Sequence, residues 1–258
     1  MKKAIAYPLL AVLIALILYL LLPKKTSEPI ELPSNFNYLP SVSYNQLIKH
    51  NNYFLSYSEK HEQAEWVAYE LKKEHLSSTN FKRPLFELDS KVKTGSAHWR
   101  NYKNSGYSKG HLLPAADRKS SKEAYQNTFI MSNVSPQKPS FNGGLWNRLE
   151  QKVRYWAQKE RHLYVVTGGV LTDHLETIGK EEVSIPEHFY KILLDYSKPE
   201  IKAIAFLVPH KNSNRPLHEF VVSIDQIEDL TGIDFFHELP DSLENSLEKS
   251  SDYKNWSF

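Results

Sequence analysis

His111 lies in a basic, glycine-rich stretch, Ser105-Gly106-Tyr107-Ser108-Lys109-Gly110-His111-Leu112-Leu113-Pro114-Ala115-Ala116-Asp117. Residues 91–119 carry seven basic side chains and one acid, Asp117. Positive neighbours disfavour the imidazolium, so His111 is expected to stay neutral and fit to take a proton near pH 7. Downstream, Trp146, Glu150 and Arg154 recur every four residues, which on a helix places them on one stripe. By residue type alone each has a plainer reading. His111 fits a structural histidine, Glu150 and Arg154 an i,i+4 surface ion pair, and Asn142 a helix N-cap.

Such side chains need a frame. Leu145, Leu149, Val153 and Trp156 form an apolar stripe beside the first one, suited to dock that helix. Residues 54–58 read as a short strand, and residues 163–170 as a buried strand ending in Gly168-Gly169. Residues 189–195 and 201–208 are two further strands, with Tyr196-Ser197-Lys198-Pro199-Glu200 able to turn a hairpin. Residues 223–232 predict a capped helix, Ser223 at its start and Gly232 past its end. Ala64, Val67, Ala68 and Leu71 are helically spaced, which predicts an amphipathic helix over 63–75. Seven of the nine glycines fall between positions 95 and 169, marking the turn-rich and functional part. Strands and helices do not alternate regularly, so the fold class is α+β rather than a doubly wound sheet.

Composition narrows the function classes. With 258 residues, 41% hydrophobic and 24% charged, the chain is globular, neither disordered nor fibrous. It has no cysteine, which excludes disulfides, thiolate metal sites and a cysteine nucleophile. The net charge of +2 is a terminal effect: residues 1–25 hold four of the 32 basic side chains and no acid, leaving 28 against 30 acids. Bulk polycation binding of nucleic acid is thereby excluded, and any such binding needs a local patch. Between Lys2-Lys3 and Lys24-Lys25, residues 4–22 are uncharged, long enough at ~1.5 Å per residue for a membrane-spanning helix. No small-x-small cleavage site follows, so an uncleaved signal anchor at 1–23 is favoured over cleaved export. Residues 24–43, with Pro29, Pro33 and Pro40, read as a linker, and 44–258 as the folded domain.

The basic stretch, together with Met131-Ser132-Asn133-Val134-Ser135-Pro136-Gln137 and Phe141-Asn142-Gly143-Gly144-Leu145-Trp146-Asn147-Arg148-Leu149-Glu150, resembles the DNA/RNA non-specific endonucleases with a ββα-metal finger. That family's pattern is Asp-Arg-Gly-His-Leu-x-Pro-Ala-x-Asp, then Ser-Asn-x-x-Pro-Gln, then Asn-x-x-x-Trp-x-x-x-Glu. Further blocks are similar to bacterial members: Gln63-Ala64-Glu65-Trp66-Val67-Ala68-Tyr69, Val166-Thr167-Gly168, Ile185-Pro186 with Phe189-Tyr190-Lys191, and Leu230-Thr231-Gly232-Ile233-Asp234-Phe235-Phe236. The resemblance implies a central antiparallel sheet with flanking helices and a ββα-metal finger active site, here preceded by the N-terminal membrane-spanning helix. It implies a Mg²⁺-dependent hydrolysis of phosphodiester bonds in DNA and RNA, with Mn²⁺ as a substitute. His111 matches the general base, Asn142 the direct protein ligand to the metal, and Glu150 the acid that positions metal-bound water. Arg154 matches the arginine at the scissile phosphate, Asn133 a further active-site asparagine, and Lys109 a substrate-binding position.

The chemistry is consistent with those types. Phosphodiester cleavage needs an activated water, neutralisation of charge on phosphate oxygens, and help for the departing alkoxide. An imidazole, a hard cation on a neutral amide oxygen, and a guanidinium supply them. One departure stands out: Ser108-Lys109 replaces the family's Asp-Arg, keeping a charge but losing the planar, bidentate grip. No base-reading module is evident, so recognition is expected through the backbone. A non-specific nuclease threatens its own genome, so the domain is expected outside the cytoplasm, periplasmic or extracellular, and secreted if the N-terminal segment is cleaved. Two alternatives remain at this level: a nuclease-fold module that only binds nucleic acid or protein, and a phosphodiesterase of small nucleotides. A homodimer is allowed.

Overall fold

Ten residues, Gln63–Lys72, set the architecture, and they are extended rather than helical. In a computed structural model that describes residues 36–41, 45–197 and 200–258, they form a strand buried on both sides. The expected helix over 63–75 is therefore corrected: only Lys73–His75 adds a single 3₁₀ turn. Ala64, Val67, Ala68 and Leu71 are all buried because both faces of this central strand are covered. Apolar spacing then carries no helical information, and Trp66, Val67 and Tyr69 favour the strand.

The strands in chain order are β1 (Gln46–Lys49), β2 (Phe54–Ser58), β3 (Gln63–Lys72), β4 (Ser108–His111), β5 (Val134–Gln137), β6 (His162–Gly169), β7 (Thr177–Ile178), β8 (Val183–Ser184), β9 (His188–Asp195), β10 (Lys202–Pro209) and β11 (Val221–Val222). Seven of them make one antiparallel sheet in the order β1-β2-β3-β6-β9-β10-β11, and β4 with β5 makes a separate ribbon. Among the described residues the helices longer than one turn are α1 (Lys122–Gln126), α2 (Asn147–Glu160), α3 (Ile224–Thr231) and α4 (Asp241–Glu248). An α+β domain around a central antiparallel sheet follows, as the irregular alternation of elements suggests. Ser223 caps α3 by accepting from the Gln226 N–H, and Gly232 ends it in the left-handed conformation at φ 68°.

Pleating sorts the sheet's side chains between two layers. Val67, Tyr69 and Leu71 of β3, Leu163 and Val165 of β6, and Phe189 and Leu193 of β9 share one core with Leu145, Trp146, Leu149, Val153 and Trp156. That is the docking stripe read from the sequence. On the opposite face Tyr190 meets Phe235, edge to face at 5.7 Å. Lys191 lies between Phe189 and Leu193, so alternation aims it at α2.

Residues 36–41, read above as linker, are packed on the domain. Phe36 stacks on Tyr196 at 4.5 Å, Tyr38 on Tyr164 at 4.6 Å, and the Ser41 N–H donates to the Asp234 carbonyl at 2.8 Å. Among the described residues no helix is long and apolar enough to cross a membrane. The proposed spanning segment, residues 4–22, lies outside them.

Candidate active site

β4, β5 and α2 follow one another around the site, and each positions one group. In the ribbon His111 pairs with Val134, Gly110 with Ser135 and Lys109 with Pro136. A Cβ at position 110 would collide with the Gln137 side chain, which accounts for the glycine before His111. His111 is thus the last residue of a strand, not part of a turn.

The imidazole sits against Phe86 at 5.2 Å and against the edge of Phe129 at 4.9 Å. Its Nε2 is buried without a hydrogen-bond partner. Burial, with a smaller push from the Arg83 guanidinium, holds its pKa down at about 3. The ring is neutral, as anticipated, but chiefly because apolar rings enclose it and only secondarily because of positive charge. The basic run contributes less than its count suggests. Arg118 is buried and donates to the carbonyls of Asp117, Asn52 and Glu70, each at 3.0 Å, so it braces the chain instead of meeting a ligand.

Asn133 is wholly buried. Its Oδ1 accepts from the Leu113 N–H at 2.9 Å, and its Nδ2 donates to the carbonyls of Leu113 at 3.1 Å and Thr128 at 2.9 Å. With its own carbonyl accepting from the Leu112 N–H at 2.9 Å, it extends the ribbon just past His111. Both of its amide donors are engaged by backbone, so the side chain braces the segment that follows His111.

Asn142 opens the irregular turn Asn142–Trp146 that leads into α2. Its own backbone is helical, at φ −58° and ψ −49°, and its side chain makes no hydrogen bond among the described residues. The N-cap reading is set aside, because Asn142 is itself helical and the N-cap position of α2 is Trp146, which has no side-chain cap. The Asn212 Oδ1 accepts from the Leu145 N–H at 3.0 Å and fills the space a Cβ on Gly144 would need. Gly144 bends there to φ −105° and ψ −107°. The amide of Asn142 is left free for an external partner.

Glu150 and Arg154 follow on α2. Arg154 donates from Nη1 to Asp117 at 2.9 Å, whereas Glu150 is 4.0 Å away, so the expected i,i+4 pair is the weaker contact. Asp117 is buried and also accepts from the Tyr69 hydroxyl at 3.1 Å. Burial pushes the Glu150 carboxyl up to about 7; the Lys191 ammonium and the Arg154 guanidinium pull it back, and Asp117 pushes the same way as burial. Lys191 is fully buried, its Nζ 4.7 Å over the Trp146 ring and without a hydrogen-bond partner among the described residues. Burial lowers its pKa. Lys109 extends its ammonium over Phe86 at 5.4 Å and Tyr102 at 5.6 Å, on the His111 side.

Sequence reasoning missed Lys191 and the roles of Asp117, Phe86 and Phe129. A signal existed for Lys191, the one cation inside an apolar strand and on its core-facing parity. None existed for Phe86, which reaches His111 from the long connection between β3 and β4.

The Asn142 amide oxygen and the Glu150 carboxylate are the donor types that suit a hard divalent cation keeping most of its waters. Groups of three carboxylates close enough to share an ion occur among the described residues at Asp225, Glu228 and Glu248 and at Asp234, Glu244 and Glu248. Those belong to α3, α4 and the chain between them, not to this site.

Comparison with known proteins places this geometry. Residues 34–242 match the model of the family described as DNA/RNA non-specific endonuclease. The chain is 38% identical over 209 residues to the mitochondrial nuclease EXOG of Danio rerio, covering 72% of this chain and 60% of that protein. It is 32% identical over 212 residues to the mitochondrial endonuclease G of Homo sapiens, covering 76% of this chain and 71% of that protein. Among solved structures, a crystal structure of the EndoG/EndoGI complex matches with a TM-score of 0.72 and 26% identity, over 77% of this chain and 89% of that one. The chain thus spans about 60% of the length of the zebrafish relative.

Proposed function

Because the chain belongs to the DNA/RNA non-specific endonuclease family, we propose that it is a metal-dependent endonuclease that hydrolyses phosphodiester bonds of DNA and RNA without reading sequence. The observation that carries this reading is a neutral imidazole at the end of β4, on a ribbon whose second strand leads through Asn142 into α2, where Asp117 anchors Arg154.

His111, held neutral, takes the proton of the attacking water. Arg154, oriented by Asp117, meets the charge that builds on the phosphate oxygens. Asn142 would hold Mg²⁺, or Mn²⁺ in its place, through its amide oxygen, and Glu150 would accept hydrogen bonds from the ion's waters. The bound cation supplies charge neutralisation at the phosphate and acidifies water. Asn133 and the Phe86–Phe129 pair keep the imidazole in place. Lys109 lies on the substrate side of β4. The reading extends to location: residues 4–22 tether the domain to a membrane, with the nuclease outside the cytoplasm.

The test is loss of supercoiled plasmid by the full chain with Mg²⁺, with and without excess chelator, beside Asn142→Ala. Cleavage abolished by chelator, with Asn142→Ala needing more metal or failing, supports the assignment. Full cleavage in chelator would remove the metal from the mechanism, and absence of any cleavage would reject the activity.

A further inference from the structure

Beside His111 lies a cavity of about 590 Å³ lined by Arg83, Pro84, Leu85, Phe86, Trp99 and Lys109. We propose that it is a subsite for an unstacked nucleobase next to the scissile phosphate, with Trp99 and Leu85 as its apolar walls. The inference rests on the nuclease reading above and adds which part of the substrate is gripped, and in what state.

Three observations carry it. Leu85 is 87% exposed and Trp99 40% exposed, so neither serves the core, and both open on the same space. Apolar groups left in water beside an active site mark a binding surface. Second, the lining contains no acid, and cations rim it: the Lys109 ammonium is 5.4 Å over Phe86, the Arg83 guanidinium 5.7 Å over the same ring, and the Arg100 guanidinium 5.3 Å over Trp99. Aromatic faces interleaved with basic groups match the alternation of bases and phosphates in a single strand. Third, the cavity adjoins the reacting groups. Phe86 forms one wall and also packs on His111 at 5.2 Å, and Lys109 stands two residues before His111 on β4.

The chemistry of the walls sets the specificity. Pro84, Leu85 and Phe86 have no side-chain donor or acceptor, so the apolar walls take any base by its face, and the donors of Arg83, Lys109 and Trp99 meet acceptors that every base carries. A base inside a duplex has both faces occupied and must first unstack. Single strands and locally unpaired DNA should therefore be bound better than intact duplex.

The experiment measures binding of the full chain in Ca²⁺, which suppresses chemistry, to a twelve-residue thymidine oligonucleotide and to a twelve-residue abasic strand. The two carry the same phosphates and differ only in the bases. Wild type should bind the thymidine strand at least about fivefold more tightly. Trp99→Ala should bring that ratio close to one without changing affinity for the abasic strand, and Trp99→Phe should keep most of it. Equal binding of the two strands by wild type, or an unchanged ratio in Trp99→Ala, would overturn the proposal and leave the cavity to another partner. Cleavage of the thymidine strand in Mg²⁺, measured alongside, separates the two readings: a protein that shows the base-dependent ratio but never cleaves fails the nuclease reading and keeps the subsite.

Discussion

Arg154 on α2 donates to Asp117 at 2.9 Å, and Asp117 is itself buried beneath Tyr69. The guanidinium is thus held by a buried carboxylate through one of its nitrogens. Removing either partner should act on catalysis and on stability together. Arg154→Ala is expected to lower kcat/KM by about 10²–10³-fold, the range for one lost transition-state donor. It should also destabilise the fold toward the low end of about 3–5 kcal/mol, because Asp117 loses a charged partner while Arg154 is partly open to solvent. Steady-state kinetics and urea unfolding check the two effects; an inactive Arg154→Ala of wild-type stability would show that Asp117 does not depend on it.

The acid limb of the pH profile should belong to Glu150, not His111. His111, lowered to about 3, is already neutral at any pH used for assay. Glu150, raised to about 7, must lose its proton to accept from the ion's waters, so activity should rise as pH passes through that region. Any added positive charge favours the carboxylate, so more Mg²⁺ should move the limb to lower pH. Profiles of kcat/KM from pH 5 to 9 at several Mg²⁺ concentrations are the measurement. A limb that persists unchanged in Glu150→Gln belongs to another group.

The candidate residues differ in how far the sequence alone points to them. Glu150 and Arg154 sit in a four-residue helical repeat that short-range geometry fixes, whereas Asn142 and the roles given to all four, His111 included, come from the family resemblance. Phe86, Asp117 and Lys191 act through long-range contacts that spacing does not encode. The β3 strand misled because its two covered faces erase the period-two signal that identifies a half-buried strand. Asn133 shows the converse limit: its residue type suited a site, and its hydrogen bonds spend both amide N–H donors on the backbone.

Lys191→Met should separate stability from activity. A buried ammonium without hydrogen bonds is unfavourable, so an apolar side chain of similar length there should leave the fold as stable or more so. The same change removes a positive charge that holds the Glu150 pKa down, so the acid limb should shift to higher pH and activity at neutral pH should fall. Thermal unfolding and the pH profile read the two halves. A destabilised variant with an unmoved limb would make Lys191 a packing residue only.

The intact chain should sediment with membranes and resist extraction by high salt and alkali, since residues 4–22 carry no charge and lack a cleavage site. Discovery of a soluble mature form starting after about residue 22 would replace the anchor with a cleaved signal.

His111→Ala should cut single-turnover cleavage by about 10²–10⁴-fold, the usual worth of a positioned general base. Affinity for DNA, measured in Ca²⁺, should change little, because a neutral ring contributes no charge to backbone binding. The substitution leaves a ring-sized gap beside Phe86 and Phe129. Free imidazole should enter that gap and restore part of the rate, and the rescued rate should follow the fraction of imidazole that is unprotonated. A purely structural histidine would not behave this way: its loss would depress stability and binding, and added base would restore nothing. Lys109→Arg offers a companion measurement. A guanidinium stacks on an aromatic ring at least as well as an ammonium, so the place between Phe86 and Tyr102 should accept it, with activity kept or raised. Cleavage by His111→Ala within about threefold of wild type, under about 1 kcal/mol of barrier, would dismiss His111 as the base.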